Sequence, residues 1–467
     1  MRKNSAEVGF LLAVCAVLFL ALAVPVFAAG SATPAESDSA PEVRTDTAAT
    51  SVTAPEMDGT ATVGDERYET AEAAVQAAAP GETVVLNGAF DERLNVSTDD
   101  VTVTAGDDGA VLDGSGEERV LTISGENVTV TGLWIRASGS DIGSEDAGVF
   151  VSGDDARIDT LRITDSAFGI WIDSADDAVI ENVRIEGRED VYPVTERGNG
   201  IQLYETTGTV VRDNEITDVR DGIYFTWATD VLAENNTIHK VRYGVHYMYS
   251  DDNRLIDNVA ADNGVGYALM VSDGLTVRNN TAIRNGDTSG HGILVRDIER
   301  SEISGNVLVD NANGLYVYNA QDNDLTDNLV LGNDIGIHSS AGSDGQLVAG
   351  NSFIGNIEDV KTPRNSLVEW NATDRGNYWS DAKTADRTGD GVSEIRYRPS
   401  GLVEQITAEH PQAAVFANSP SFEAIRLAES SFPVIEAPGV IDRKPLVESP
   451  HDWQQYTDRS RSEDDDS

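Results

Sequence analysis

From Val84 to about Trp370 the chain alternates apolar and polar residues in runs of three to five, broken by Gly, Asn and Asp. Alternation of period two is that of a β-strand with one buried face; a helix needs apolar residues three and four apart. The segments GIQLY, GIYFT, GVHYM, GYALM, GILVR, GLYVY and GIHSS begin at Gly200, Gly222, Gly244, Gly266, Gly292, Gly314 and Gly336, in steps of 22, 22, 22, 26, 22 and 22 residues. A second column places Asn214, Asn236, Asn258, Asn280, Asn306, Asn328 and Asn351 at nearly the same step. A period of about 22 residues with several short strands and no helix predicts an all-β fold, a right-handed parallel β-helix in which each period is one coil. Less regular coils read at VTVTAG, VLTISG, VTVTGLWI and GIWIDS bring the total to roughly a dozen, a rod of about 55–60 Å at one strand spacing per coil. Residues one and three after each glycine, such as Ile223 and Phe225 or Val245 and Tyr247, are expected to point inward, and residues two and four outward. The glycines suit turns, and the asparagines tolerate unusual backbone angles while stacking their amides from coil to coil.

The flanks read differently. Arg2 and Lys3 precede an apolar run from about Val8 to Ala29, expected to be an export signal over 1–28 with Val26 and Ala28 at the cleavage site, or an uncleaved membrane anchor. Cys15 lies inside it, so a cleaved chain has neither a disulfide nor a thiolate metal site. Residues 29–60, rich in Ser, Thr, Ala, Pro and acids, read as a linker. The β-helix domain then spans 61–372, opened by a short Ala-rich helix from Glu69 to about Ala79. The extension 373–467 carries two helix-like pieces between Gly401 and Ser430, expected as a hairpin that caps the rod or docks on a membrane partner. A Pro-punctuated extended stretch and an acidic tail follow.

The balance of 80 Asp and Glu against 33 Lys and Arg, net −47, excludes nucleic acid and anionic lipid as partners, because both need clustered cations. Acidity spread over the whole chain is the solvated surface expected of a protein from a salt-loving organism. Candidate chemistry follows from the columns. Four residues after the glycine, Met248 and Met270 fall on consecutive coils, with His246 beside Met248. Two thioethers and an imidazole suit Cu(I). The alternative for the same residues is an aromatic and Met patch that packs or docks a partner. A neighbouring column with Asp251, Asp273 and Glu299 has the residue types of a sugar-cleaving lyase, hydrolase or epimerase, of a hard-cation site, or of a solvated face. In DRTGDGVSE, Asp386 and Asp390 have the early spacing of a calcium loop without its bidentate Glu. His239 and His291 stand isolated, and His410 and His451, outside the repeats, read as surface residues.

RYGVHYMYSDDN (Arg242–Asn253), GNYWSD (Gly376–Asp381) leading into TGDGVSE, and SSFPVIEAPGVIDRKPL (Ser430–Leu446) together resemble the NosD family, exported β-helix proteins of nitrous oxide reductase maturation. The resemblance covers roughly Val63 to Pro450. It implies a protein on the periplasmic side, or the outer face of the cytoplasmic membrane, without catalytic turnover. It also implies an ABC-type ATPase and permease, a copper chaperone lipoprotein and nitrous oxide reductase as partners, and copper as cargo. His246 and Met248 lie within HYMY, while Met270 comes from the column alone. Tyr247 and Tyr249, with Phe416, Phe422, Phe432 and Pro433 of the tail, are then the expected partner contacts. Arg387 and Ser393 depart from the more acidic pattern of the calcium-like stretch.

Overall fold

The structure is a computed structural model that describes residues 58–457 apart from 287–289, 341, 363–366, 401–402, 404–405, 408–409, 417–418 and 432–437. The expected signal segment and most of the linker, Phe432, Pro433 and the end of the acidic tail lie outside the described residues. Among the described residues no helix is long and apolar enough to cross a membrane.

The repeat folds as its period requires, into a right-handed parallel β-solenoid of about thirteen turns. One strand per coil, from Leu94–Val96 to Glu358–Lys361, builds a 12-stranded parallel sheet along one face. The shorter strands, mostly two per coil, form the 25-stranded sheet that closes the other faces. Register is strict: Val245 lies opposite Tyr267 and Met248 opposite Met270. It survives the 26-residue step, where Val265 faces His291 and Met270 faces Arg296, so the four extra residues fall between Ile283 and His291. The inward positions Ile223, Phe225, Val245, Tyr247, Tyr267 and Leu269 are fully buried. Phe225 and Tyr247 stack at 4.2 Å between ring centres.

The asparagine column does its work inside the rod. Each amide donates to the carbonyl oxygen of the next, from Asn214 through Asn236, Asn258, Asn280, Asn306, Asn328 and Asn351 to Asn377, at 2.9–3.1 Å. The unusual backbone belongs to the residue before each one: Asp213, Asn235, Asp257, Asn279 and Asp327 have φ between 53° and 57°, and Gly305 and Gly350 complete the series. Expecting both roles from one residue was therefore wrong. The left-handed turn and the amide ladder occupy neighbouring positions, which explains the recurring Asp-Asn and Asn-Asn pairs.

The ends are closed by strands and a short helix. At the start, Thr60–Val63 pairs antiparallel with Thr83–Phe90, and the helix Ala71–Ala77, capped by Thr70, buries Ala71, Ala74 and Val75. At the finish, Tyr378–Trp379 continues the sheet on Ser352–Phe353, and Gly439–Asp442 lies parallel to Leu367–Glu369. Asp442 accepts from the Asn377 backbone at 2.7 Å and from the Trp379 indole at 2.9 Å, so GNYWSD and VIDRKPL meet at the terminus of the amide ladder. In the tail the helix Pro420–Ser431 packs beside Tyr397–Ser400, and Pro411–Phe416 is a 3-10 helix. Tyr397–Ser400 packs against the last coil's strand Glu358–Lys361, and the helical hairpin expected between Gly401 and Ser430 lies partly outside the described residues.

Candidate functional site

Outward positions of the 12-stranded sheet form three columns. The first holds Asp221, Tyr243, Val265, His291, Asn313 and Ile335; the second Tyr224, His246, Ala268, Leu294, Tyr316 and His338; the third Thr226, Met248, Met270, Arg296 and Tyr318. Met248 and Met270 face each other on adjacent coils, about one strand spacing of 4.8 Å apart at the backbone. Met270 is buried and Met248 half-buried in a cluster with Val265, Ala268 and Leu294. Thioethers in an apolar cluster are packing until a harder donor joins them.

The nitrogen candidate is His246, two residues before Met248 on the same strand. Its Nδ1–H donates to Asp221 Oδ2 at 3.1 Å, and its ring stacks on Tyr224 at 4.4 Å with Tyr243 edge-on at 5.0 Å. Arg242 grips the same carboxylate with Nε at 2.8 Å and Nη2 at 2.6 Å. Burial pushes the Asp221 carboxyl up, but the His246 hydrogen bond and the Arg242 guanidinium outweigh it and hold it below the usual carboxylate range. In the neutral ring an anionic Asp221 selects the tautomer protonated at Nδ1, which puts the lone pair on Nε2. Nε2 is buried and has no hydrogen-bond partner, in a residue that is 6% exposed. Buried polar atoms are nearly always satisfied, so an orphan imidazole nitrogen whose tautomer is fixed by a carboxylate has the arrangement of a ligand. Among the described residues no group of three or more His, Cys, Asp or Glu is placed to hold a metal ion, so any ion here relies on sulfur as well as nitrogen. Sequence reading missed Asp221 and Arg242. The signal available was the register itself, which sets the residue before Gly222 diagonally beside His246.

The other candidates separate clearly. Tyr249 is half exposed, in a row with Tyr204 and Trp227; Trp227 and Tyr249 stack at 5.9 Å with left-handed φ of 52° and 55°. Tyr247, expected as a partner contact, is fully buried because it occupies the third, inward position after Gly244. Phe422 is also buried, on the inner side of its helix, whereas Phe416 is exposed. The acidic column is committed to the backbone: Asp251 accepts from the Asp273 N–H at 2.8 Å, Asp273 accepts from the Glu299 N–H at 3.0 Å, and Arg300 bridges Asp273 and Glu299. In the calcium-like loop the two Asp386 oxygens accept from Gly389 and Gly391, and Asp390 accepts from Val392, so these carboxylates close a turn. Those backbone bonds hold the Asp386 carboxyl below its usual range. His451, expected at the surface, is half-buried, with Nε2 donating to Asp327 O at 2.8 Å and Nδ1 accepting from Ser352 Oγ at 2.8 Å.

The family described as "Periplasmic copper-binding protein (NosD)" matches residues 181–384, and "Right handed beta helix region" matches 84–249. A probable ABC transporter binding protein NosD of Pseudomonas aeruginosa is 44% identical over 360 residues, covering 73% of this chain and 83% of that protein. The chain belongs to the NosD family. A second NosD, from Stutzerimonas stutzeri, is 40% identical over 359 residues, covering 73% of this chain and 81% of its own. Solved structures add the fold alone. A GH87 α-1,3-glucanase catalytic unit from Streptomyces thermodiastaticus matches with TM-score 0.51 at 16% identity, covering 66% of this chain and 61% of its own. The A-module of the mannuronan C-5 epimerase AlgE6 from Azotobacter vinelandii matches with TM-score 0.50 at 14% identity, covering 68% and 94%. The NosD match encloses Asp221, Arg242, His246, Met248 and Met270, while the tail from Gly401 lies beyond it. The family is described as periplasmic and copper-binding, and its named relatives are transporter binding proteins, which agrees with export, with copper and with an ABC transporter system.

Proposed function

We propose that this member of the NosD family is a copper-handling assembly factor without catalytic turnover. It receives copper from a chaperone lipoprotein outside the cytoplasmic membrane. It works with the ATPase and permease of an ABC-type transporter and helps fill the copper centres of nitrous oxide reductase. Copper is cargo, held as Cu(I) by Met248, Met270 and His246 Nε2. The observation that carries this reading is the buried, unpartnered Nε2 of His246, its tautomer fixed by Asp221 and Arg242, on the strand that also carries Met248. Soft thioethers select Cu(I), and a neutral imidazole completes a set that hard cations bind poorly.

Cu(I) titration of the purified chain against a competing chelator tests it. Met248→Leu/Met270→Leu and His246→Phe should each weaken Cu(I) by at least tenfold with unchanged melting. If the double Met variant binds Cu(I) as the parent does, the ligand assignment is wrong, and family membership stands.

A further inference from the structure

Two to five coils along from His246, on the same sheet face, an open groove runs between His291, Arg296, Asn313, Tyr316, His338 and Lys361. None of its lining residues is acidic, in a chain with 80 carboxylates and a net charge of −47. Tyr316 forms the floor: His291 stacks on one side at 4.8 Å, and His338 meets it edge-on at 4.8 Å. Lys361 is exposed and has no carboxylate partner among the described residues. Arg296 pairs with its neighbour Asp297 at 3.2 Å and lies over the Tyr318 ring at 5.9 Å, with half its side chain in solvent, so the ion pair is exposed and easily exchanged. Asn313 has a hydrogen bond to His291 at 3.1 Å on its nitrogen, while its buried Oδ1 has no partner. The groove is continuous with the methionine cluster, because Leu294 and Tyr316 belong to both.

We infer that this groove is the docking site for a carboxylate-bearing segment of a partner protein. Charge complementarity chooses the occupant. Elsewhere the chain repels an acidic segment at long range, so one that binds must do so where the lining itself has no carboxylate and carries Arg296 and Lys361; Asp297 and Glu358, at its margin, are what the segment would compete with. Lys361 and Arg296 take the segment's carboxylates. Seated there, the segment lies against Leu294 and Met270, which brings a partner to the methionines. The inference does not require Met248 or Met270 to bind copper.

Binding of a labelled Glu-rich octapeptide to the full chain, read by fluorescence anisotropy, tests it, with a Gln-for-Glu peptide and inorganic phosphate as comparisons. The acidic peptide should bind at least tenfold more tightly than the Gln peptide. Lys361→Glu/Arg296→Glu should weaken it at least tenfold at unchanged melting temperature, Lys361→Arg should retain it, and Arg93→Glu, remote from the groove, should have no effect. Equal binding of the Gln peptide, indifference to the double reversal, or displacement by phosphate at the peptide's own concentration would each overturn the proposal, the last by reducing the groove to a bare anion site.

Discussion

In the proposed copper site the role of His246 rests on Asp221, which holds its ring and is not itself one of the three ligands. A neutral imidazole has two tautomers, and only the one protonated at Nδ1 offers Nε2 to a metal. Asp221 selects it at 3.1 Å, and Arg242 keeps Asp221 charged. Asp221→Asn should leave the methionines in place yet weaken Cu(I) by about 10–100-fold, the usual cost of losing the group that orients a ligating histidine. Nitrogen NMR of His246 reads the cause directly: the fraction protonated at Nε2 should rise in the variant. If the affinity falls with the tautomer unchanged, Asp221 acts by another route. A second residue, Trp227, has φ 52° and is half exposed, a backbone region that suits Asn and Gly and strains bulky residues. Trp227 stacks on Tyr249, an expected partner contact, so if this aromatic row is a docking surface Trp227→Asn should hold or raise the melting temperature while reducing retention by the proposed transporter partner. A clear loss of stability would instead make Trp227 part of the fold.

Among the elements, the amide ladder carries the largest single-residue effects. Asn258 donates to Ala233 O and Asn280 Oδ1, and accepts from both the backbone and the amide of Asn236. Asn258→Ala strands several buried groups at once, so denaturant unfolding should show a loss on the order of 3–5 kcal/mol. Asn235→Gly one position earlier should stay within about 0.5 kcal/mol, because Gly305 and Gly350 already fill that left-handed turn elsewhere. At the last coil, burial raises the Asp359 carboxyl to about 6 despite its hydrogen bond from Asn356 at 3.1 Å. The folded protein therefore holds this proton more tightly than the unfolded chain, whose Asp titrates near pH 4. That contribution is complete below about pH 4 and is lost as pH rises through about 6. Asp359→Asn should remove this part of the pH dependence and stabilise the protein at pH 7 by roughly 1–2 kcal/mol. The contrast between ladder and ends explains what was legible in the sequence. Strand, turn and ladder recur in every coil, so the glycine and asparagine columns expose them. Asp442 reaches Trp379 across 63 residues once only, and Asp221 meets His246 on a diagonal between columns; neither leaves a periodic trace.

For the molecule as a whole the governing quantity is charge. A net −47 opposes compaction, since every pair of like charges is closer folded than unfolded. The Arg ladders offset this locally: Glu181 lies between Arg157 and Arg212, and Glu186 receives Arg162 and Arg184. With 33 cations against 80 acids, most carboxylates have no such partner. Their repulsion falls as the Debye length shrinks from about 10 Å at 0.1 M salt to about 3 Å at 1 M. Stability of the intact chain should therefore rise steadily with KCl, as an increasing urea midpoint with little change in slope. Generic salting-out would give a similar trend, and charge removal separates the two. Asp107, Asp108, Asp257 and Asp334 are exposed and have no ion pair among the described residues. Changing all four to Asn should raise the midpoint at 0.1 M salt and flatten its rise with KCl, because less repulsion is left to screen. A parallel upward slope in parent and variant would mean that repulsion is not what salt relieves, and that the acids act through hydration instead.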